Sequence, residues 1–461
     1  MDHDRRDLLR RTLNPRSVAI LGASSRSLSV GYSAVDSVLG SGFPGPVYLV
    51  NPKYEVIHGQ RCFASLRAVG APIDLVIIAL RKEQIIPALR ECGELGIRSV
   101  LCMSAGFGES GGGGQALEDE LRRVAEELGI LLIGPNTLGF HNPHLPLNAT
   151  FWPKKLPAGG VAVLSQSGGT GVNVLCAFLA AGVGISTFVG VGNRTVLEFH
   201  DYIDYLAEDD ATTVIGVVIE GVRTARAFIE SVRRALARKP VVVWKVGSTD
   251  VASAAALTHT GGIAGARELW DAALRQSGAV AVGGSSEFVA ACKALALAPL
   301  PRGPRVCVMT HTSGPSIIAA DILARHGWPL PELGQPLIDT LDRTVKLGGL
   351  VLLQNPIDLS SPGASARPWC DAAEVLFQAD FADAYLFIFN VHKHFRAPTD
   401  GLRRLCEMYR KPVVVNYLAD ADEMRHEAPP LQAVGVPVFH TPDEAAHATH
   451  ALLRYGNLRR G

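Results

Sequence analysis

The sequence predicts an α/β protein made of three doubly wound, mostly parallel sheets. Short β-branched runs alternate with helical stretches along the whole chain, and strands separated by helices pair in parallel, with both faces covered. Pro-rich connectors divide the runs into three series. A chain of 461 residues is too long for one ordinary core, and a length prior gives about two to four domains.

The first series comprises SVAILGA, PVYLVN, DLVIIAL, SVLCMSA and LLIGPN, all within residues 1–136. After the connector FWPKKLPAGG (151–160), the second series is VAVLSQSG, STFVGVGN, VIGVVIEGV and PVVVWKVG. The connector LAPLPRGPR (297–305) precedes the third: RVCVMTH, DAYLFIFNV, KPVVVNYL and VPVFH. Domains are therefore expected at 1–155, 156–298 and 299–461, of the Rossmann or flavodoxin-like kind.

Composition narrows the function classes. Hydrophobic residues make up 48% and charged residues 19%, with formal charge zero; this is the profile of a soluble globular protein and gives no attraction to polyanions such as nucleic acid. The eight cysteines are scattered without a CxxC pair or a Cys/His cluster at zinc spacing, so no metal site and a reduced, cytoplasmic setting are expected. The charged start MDHDRRDLLRRTLNP lacks the apolar core of a signal peptide. No charged residue lies between Lys155 and Arg194, yet SQSGGTG and VGVGN interrupt any continuous apolar helix, which argues against a membrane span.

Four strand ends carry chemistry. SVAILGA runs into SSRSLSVGYSAVDSVL, so strand and helix are expected to meet at Gly22, Ala23, Ser24 and Ser25, where free N–H groups and the helix dipole suit a nucleotide phosphate. The full GxGxxG is absent, which speaks against a nicotinamide fingerprint and leaves an ordinary βα turn as an alternative. In SQSGGTG, Ser165, Ser167, Gly168 and Gly169 form a candidate phosphate cradle at a helix start, although a plain N-cap explains the same letters. VVIEGV places Glu220 at the end of an apolar strand, where it is able to accept an imidazole N–H or to form an ion pair. RVCVMTH leads into HTSGPSIIAADILARHG, putting His311, Thr312, Ser313 and Gly314 before a helix with its positive end available.

The stretch LTHTGGIAGA (257–266) holds His259 between Thr258 and Thr260, followed by Gly261 and Gly262. This is a donor-rich loop opening a helix, suited to holding an anion against a side-chain nucleophile. With 14 histidines in the chain, a structural imidazole is the competing reading.

Together NPRSVAILGAS, VNPKYEVIHGQRCFASL, SAGFGE, GPNTLGF, VLSQSGG, VGN with DYIDYLAED, IEG, THTGGIAG and NPIDL run in one order from about residue 13 to 360. This pattern resembles the alpha chain of ADP-forming acyl-CoA synthetases, the group related to succinyl-CoA synthetase. The resemblance implies that the first domain binds coenzyme A through Gly22–Ser25, Lys53 and Asn136. It implies that His259 becomes phosphorylated with support from Glu220, and that Ser165–Gly169, Gly261 and Thr312–Gly314 hold phosphate. Acid, CoA and ATP would then exchange with acyl-CoA, ADP and phosphate through an acyl phosphate.

The departures are Thr137 where the family usually has Cys, Gly262 where Ala is common, VGNRTVLEF without the usual Ala-Asp, and HTSGP in place of a run of glycines. Side chains in that last loop either block the approach of phosphate or donate to it from Thr312 and Ser313. The sequence shows neither a nucleotide-grasping domain nor a GxxxxGK[ST] loop, so ATP or ADP with Mg is expected on a partner chain, in an oligomer. Phe151 and Trp152 are candidates for an acyl pocket, with core packing as the plainer reading. The competing functions are a non-catalytic CoA-binding scaffold and a nicotinamide-dependent oxidoreductase.

Overall fold

The computed structural model describes residues 3–247, 267–345, 352–363, 365–391 and 396–460. They form two compact units, residues 1–283 and 284–461.

The first unit holds two sheets. One contains β1 (Val18–Leu21), β2 (Val47–Val50), β3 (Val56–Ile57), β4 (Gln60–Phe63), β5 (Leu75–Ile78), β6 (Ser99–Cys102) and β7 (Leu131–Ile133), in the order β3-β4-β2-β1-β5-β6-β7. All its pairs are parallel except the β3–β4 hairpin. Every residue of β1, β5, β6 and β7 is buried, as expected for strands whose β-branched side chains meet helices on both faces. The chain leaves β1 toward β2 on one side and returns to β5 on the other. This creates a switch point at the carboxyl end of β1, where open α/β sheets bind ligands.

The second sheet comprises β8 (Gly139–Asn142), β9 (Leu147–Thr150), β10 (Ala158–Ser165), β11 (Ile185–Gly190), β12 (Val214–Ile219), β13 (Val241–Lys245) and β14 (Val280–Val282), ordered β14-β13-β12-β10-β11-β8-β9. Strands β10 to β14 are parallel, while β8 pairs antiparallel with β11 and with β9. Thus residues 139–150, which precede the 151–160 connector, belong to the second sheet. Thr137 helps hold them there: its hydroxyl donates to the Gly190 carbonyl and accepts from Gly139 N–H at 3.0 Å.

The second unit is built on β15 (Val306–Thr310), β16 (Leu352–Leu353), β17 (Ile357–Asp358), β18 (Ala384–Asn390), β19 (Val413–Leu418) and β20 (Val438–Phe439), ordered β16-β17-β15-β18-β19-β20. Its parallel core, β17-β15-β18-β19-β20, is bordered by antiparallel β16. A cluster around Trp369, Phe377, Tyr385 and Phe387 fills one face. All thirteen predicted strands are present; the sequence reading lacked β3, β4, β8, β9, β14, β16 and β17, which are too brief to show a period. Among the described residues no helix is long and apolar enough to cross a membrane.

Candidate active site

The first unit opens into a cleft of about 1060 Å³ whose walls are the carboxyl ends of strands from both of its sheets. Leu21 ends β1 and Gly22 follows it, Val50 ends β2 and Asn51–Tyr54 follow it, Ala79–Arg81 follow β5, and Met103–Ala105 follow β6. From the second sheet come Gln166–Gly169 after β10 and Gly192–Arg194 after β11, with Asn136–Leu138 and Phe151 between them. A volume at the upper end of the usual range for small-molecule sites suits a large ligand.

Close backbone approach shapes the floor. Gly22 has φ +95°, and a Cβ there would lie 2.4 Å from the Ala79 carbonyl oxygen; one on Gly31 would lie 2.1 Å from the Gly22 carbonyl oxygen. Only glycine relieves both conflicts. The expected direct junction of strand and helix is corrected here. The helix Val30–Ser41 begins beyond a loop, capped by Ser29, whose hydroxyl accepts from Tyr32 N–H at 3.2 Å. Ser24, Ser25 and Arg26 therefore belong to that loop and not to a helix start, because a later serine supplies the cap. Ala23 is fully buried, with its carbonyl accepting from the Asn51 amide at 2.8 Å, and Ser24 lines the cleft. Ser25 is exposed. The hydroxyls of Ser25 and Ser24 bond Tyr54, and these bonds hold its phenol below the ordinary pKa.

Lys53, Arg26 and Arg81 bring three cations to the rim. Asn136 has φ +55° and donates from its amide to Asn193 Oδ1 at 3.2 Å. Asn193 also donates to Glu109 and Glu118 at 2.6 and 2.9 Å, tying the Gly192–Arg194 loop to the first sheet's domain. Burial opposes the charge on Glu109, but hydrogen bonds from Asn193 and from Gly106 and Phe107 N–H outweigh it and hold its carboxyl below the usual pKa.

The SQSGG reading matches the structure locally. The helix Gly168–Ala180 is capped by Ser167, whose hydroxyl accepts from Thr170 N–H at 3.3 Å. Ser165 is fully buried and donates to the Ser167 carbonyl at 2.8 Å, so it braces the loop from behind. Gly168 and Gly169 face the cleft, where their N–H groups, the first of the helix, have no partner within the helix itself.

Glu220 follows β12 and is 9% exposed. Its N–H and that of Gly221 both donate to Gln166 Oε1, at 3.0 and 3.1 Å. Arg194, 5% exposed with φ +61°, donates to the Gly221 carbonyl at 2.9 Å and pairs with Glu198 at 3.3 Å. Burial lowers the pKa of the Lys245 ammonium, and the neighbouring Glu220 charge offsets part of that.

In the second unit, the helix Ser313–Arg325 starts at the predicted HTSGP loop with Thr312 as N-cap. Thr310 donates to the Thr312 carbonyl at 2.9 Å, the same brace that Ser165 makes. The Ser313 hydroxyl is committed to Asp358 of the NPIDL stretch, whose other oxygen accepts from Ser360 N–H at 2.8 Å. Ser313 and Gly314 are exposed. His259 and Gly261 lie outside the described residues. Among those described, no cluster of His, Cys, Asp or Glu is suited to a metal ion.

The cleft thus unites Gly22, Ser24, Lys53 and Asn136 with Ser167, Gly168 and Gly169. Sequence reasoning missed Arg26, Arg81, Gln166 and Arg194. Each directly follows or closely trails a predicted strand end, and position relative to strand ends was the available signal.

Two family profiles match the chain: "CoA binding domain" over residues 16–143 and "Succinyl-CoA ligase like flavodoxin domain" over residues 158–295. The acetate–CoA ligase [ADP-forming] II subunit alpha of Pyrococcus furiosus is 33% identical over 450 residues, covering 96% of each chain. The acetate–CoA ligase [ADP-forming] I of Archaeoglobus fulgidus is also 33% identical, over 98% of this chain but 64% of that protein. Among solved structures, the acetyl-coenzyme A synthetase 1 of Ca. Korarchaeum cryptofilum, in complex with phosphate and ADP, superposes with TM-score 0.89 at 29% identity, covering 98% of this chain and 97% of that one. Sequence and architecture agree along nearly the whole length, and the chain belongs to the family of ADP-forming acyl-CoA synthetases, as a chain of the alpha type.

Proposed function

We propose that this chain is the alpha-type subunit of an ADP-forming acyl-CoA synthetase, acting on a small carboxylic acid through an acyl phosphate and phospho-His259. The observation that supports it best is the single cleft joining a cationic, glycine-floored set of strand ends to the Ser167–Gly169 helix start. In the assignment we favour, residues 1–155 bind CoA, 156–298 carry His259, and 299–461 form the second ligase domain.

Coenzyme A fits the first part of the cleft. Gly22 and Gly31 let the end of β1, its neighbour β5 and the helix start close up into the cleft floor, while Arg26, Lys53 and Arg81 complement the phosphates of the ligand. In the direction of acyl-CoA cleavage, a phosphate oxygen attacks the thioester carbonyl and the thiolate departs. The N–H groups of Gly168 and Gly169 stabilise the phosphate's charge. One imidazole nitrogen of His259 then takes the phosphoryl group, and the carboxylate leaves. Glu220 accepts the N–H of the other nitrogen, keeping the nucleophilic one unprotonated and balancing the positive charge that develops. ADP, with Mg, receives the phosphoryl group on a partner chain carrying an ATP-grasp domain. The alpha-subunit name of the P. furiosus relative and the greater length of the A. fulgidus one support a site supplied beyond this chain.

Incubation with labelled phosphate and a panel of acyl-CoA species tests the reading. Wild type should acquire acid-labile, base-stable label without the partner, and His259→Ala should acquire none. Glu220→Gln should label about 10²-fold more slowly, since a neutral amide orients and stabilises imidazole less well. Label persisting in His259→Ala would move the carrier elsewhere, with His311 next to be tested. One observation favours a second reading, a CoA-binding chain without catalysis: the Asp358 carboxylate sits against Ser313 at the second helix start, where it would repel phosphate. Wild type that stays unlabelled with the partner present selects that reading.

A further inference from the structure

Glu220 sits where the β12 ladder ends, and the peptide groups around it are held by side chains instead of by a neighbouring strand. Val218 and Ile219 still give their carbonyls to Gln166 N–H and Val246 N–H, at 3.1 and 2.8 Å. One residue later the pattern changes. Both N–H groups of the Glu220–Gly221 pair converge on Gln166 Oε1, using the two lone pairs of one amide oxygen. The Gly221 carbonyl is taken by Arg194 at 2.9 Å.

Each clamp is itself immobilised. Gln166 is 6% exposed, and its own backbone is anchored to β12. Arg194 pairs with Glu198, packs its guanidinium 5.6 Å from the centre of the Phe199 ring, and gives its carbonyl to Arg223 at 2.9 Å. Both side chains line the cleft beside Ser167–Gly169. Gln166 lies between the strand end at Ser165 and the cap at Ser167, so the loop proposed to hold phosphate also holds the carboxylate strand.

We infer that Gln166 is a positioning residue that sets the place of Glu220 relative to the phosphate loop, with Arg194 as the second clamp. The inference rests on the reading of Glu220 as the carboxylate serving His259. The amide oxygen of Gln166 is occupied by two backbone N–H groups, so its effect passes through Glu220 and not through direct contact with the reacting atoms. Loss of an orienting partner of this kind lowers activity about 10- to 100-fold in comparable sites.

The test is single-turnover phosphate labelling of Gln166→Met, which keeps side-chain length and removes the acceptor. Labelling at saturating acyl-CoA and phosphate should slow about 10-fold, with the half-saturating concentrations of both unchanged. In a Glu220→Gln background the same substitution should add no further loss, because the group it positions is already disabled. Hydrogen exchange at the Glu220 and Gly221 amides should accelerate. Arg194→Met supplies an independent arm with the same expected slowing, should Gln166→Met fail to fold. Wild-type labelling in the folded variants overturns the inference, as does a full multiplication of the Gln166→Met and Glu220→Gln losses. If Glu220→Gln alone labels at the wild-type rate, the reading of Glu220 itself falls, which is distinct from failure of the clamp.

Discussion

Single residues at strand ends do much of the positioning in this protein. Ser165 and Thr310 are each fully buried and each donate to the carbonyl of the helix-capping residue two positions on, so a strand-to-helix turn of one design recurs in both units. A different residue-scale feature bears on the response to acid. In the second unit the His450 ring stacks on His326 at 3.7 Å, with His447 nearby and the Trp328 indole N–H donating to His450 Nδ1 at 2.9 Å. Burial, then the neighbouring His326, His447 and Arg454, push the His450 pKa down to about 3. Glu287, 3.9 Å from His447, is the acid facing the cluster. A histidine whose folded pKa lies below its unfolded value contributes stability above the unfolded value of about 6.5. That contribution is lost as pH falls from there toward 3. The melting temperature of residues 284–461 within the full chain should therefore decline between about pH 6.5 and pH 4. His450→Gln, whose amide oxygen still accepts from Trp328 but does not titrate, should flatten the decline. An unaltered slope in that variant would assign the effect to other groups of the same unit, such as His326, which burial and then the neighbouring His447 also lower.

At the scale of elements, the start of the helix Val30–Ser41 presses on the end of β1, and this contact makes the cleft floor. A Cβ on Gly31 would lie 2.1 Å from the Gly22 carbonyl oxygen, a distance that forces strand end and helix apart. Gly31→Ala should destabilise the first unit by about 1–3 kcal/mol, the usual cost of overpacking, and should weaken CoA binding, because the displaced turn is the one proposed to meet the phosphates. Denaturant unfolding and calorimetric titration with CoA check the two effects separately. A folded variant with wild-type affinity would show that CoA does not depend on this contact.

For the whole molecule, the membership of the chain in the acyl-CoA synthetase family and the content of its cleft favour CoA over a nicotinamide ligand. CoA at about 100 times its Kd should stabilise the native chain by roughly 2.7 kcal/mol, readable as a rise in melting temperature, whereas NAD should leave it unmoved. A shift with NAD and none with CoA would restore the oxidoreductase reading. Complete ATP-dependent ligation should require the nucleotide-binding partner; its appearance from this chain alone would place a nucleotide site within these 461 residues.

Strand and helix alternation was legible because short β-branched runs bounded by Gly or Pro alternate with longer stretches of helical period, a pattern carried within each segment. The Ser167 cap was legible for the same reason, since the hydroxyl and the N–H it accepts from lie three residues apart. The position of the first helix was not: Ser24, Ser25 and Ser29 are all competent caps, and only packing against Gly22 selects the last. Nor does local preference bring β8 and β9 into the second sheet, join the Gly22 and Ser167 turns in one cleft, or carry the Gln166 side chain to a peptide 54 residues away. Those arrangements follow from strand order and register, which depend on burying the faces of distant segments together, so they exist only once the chain has packed.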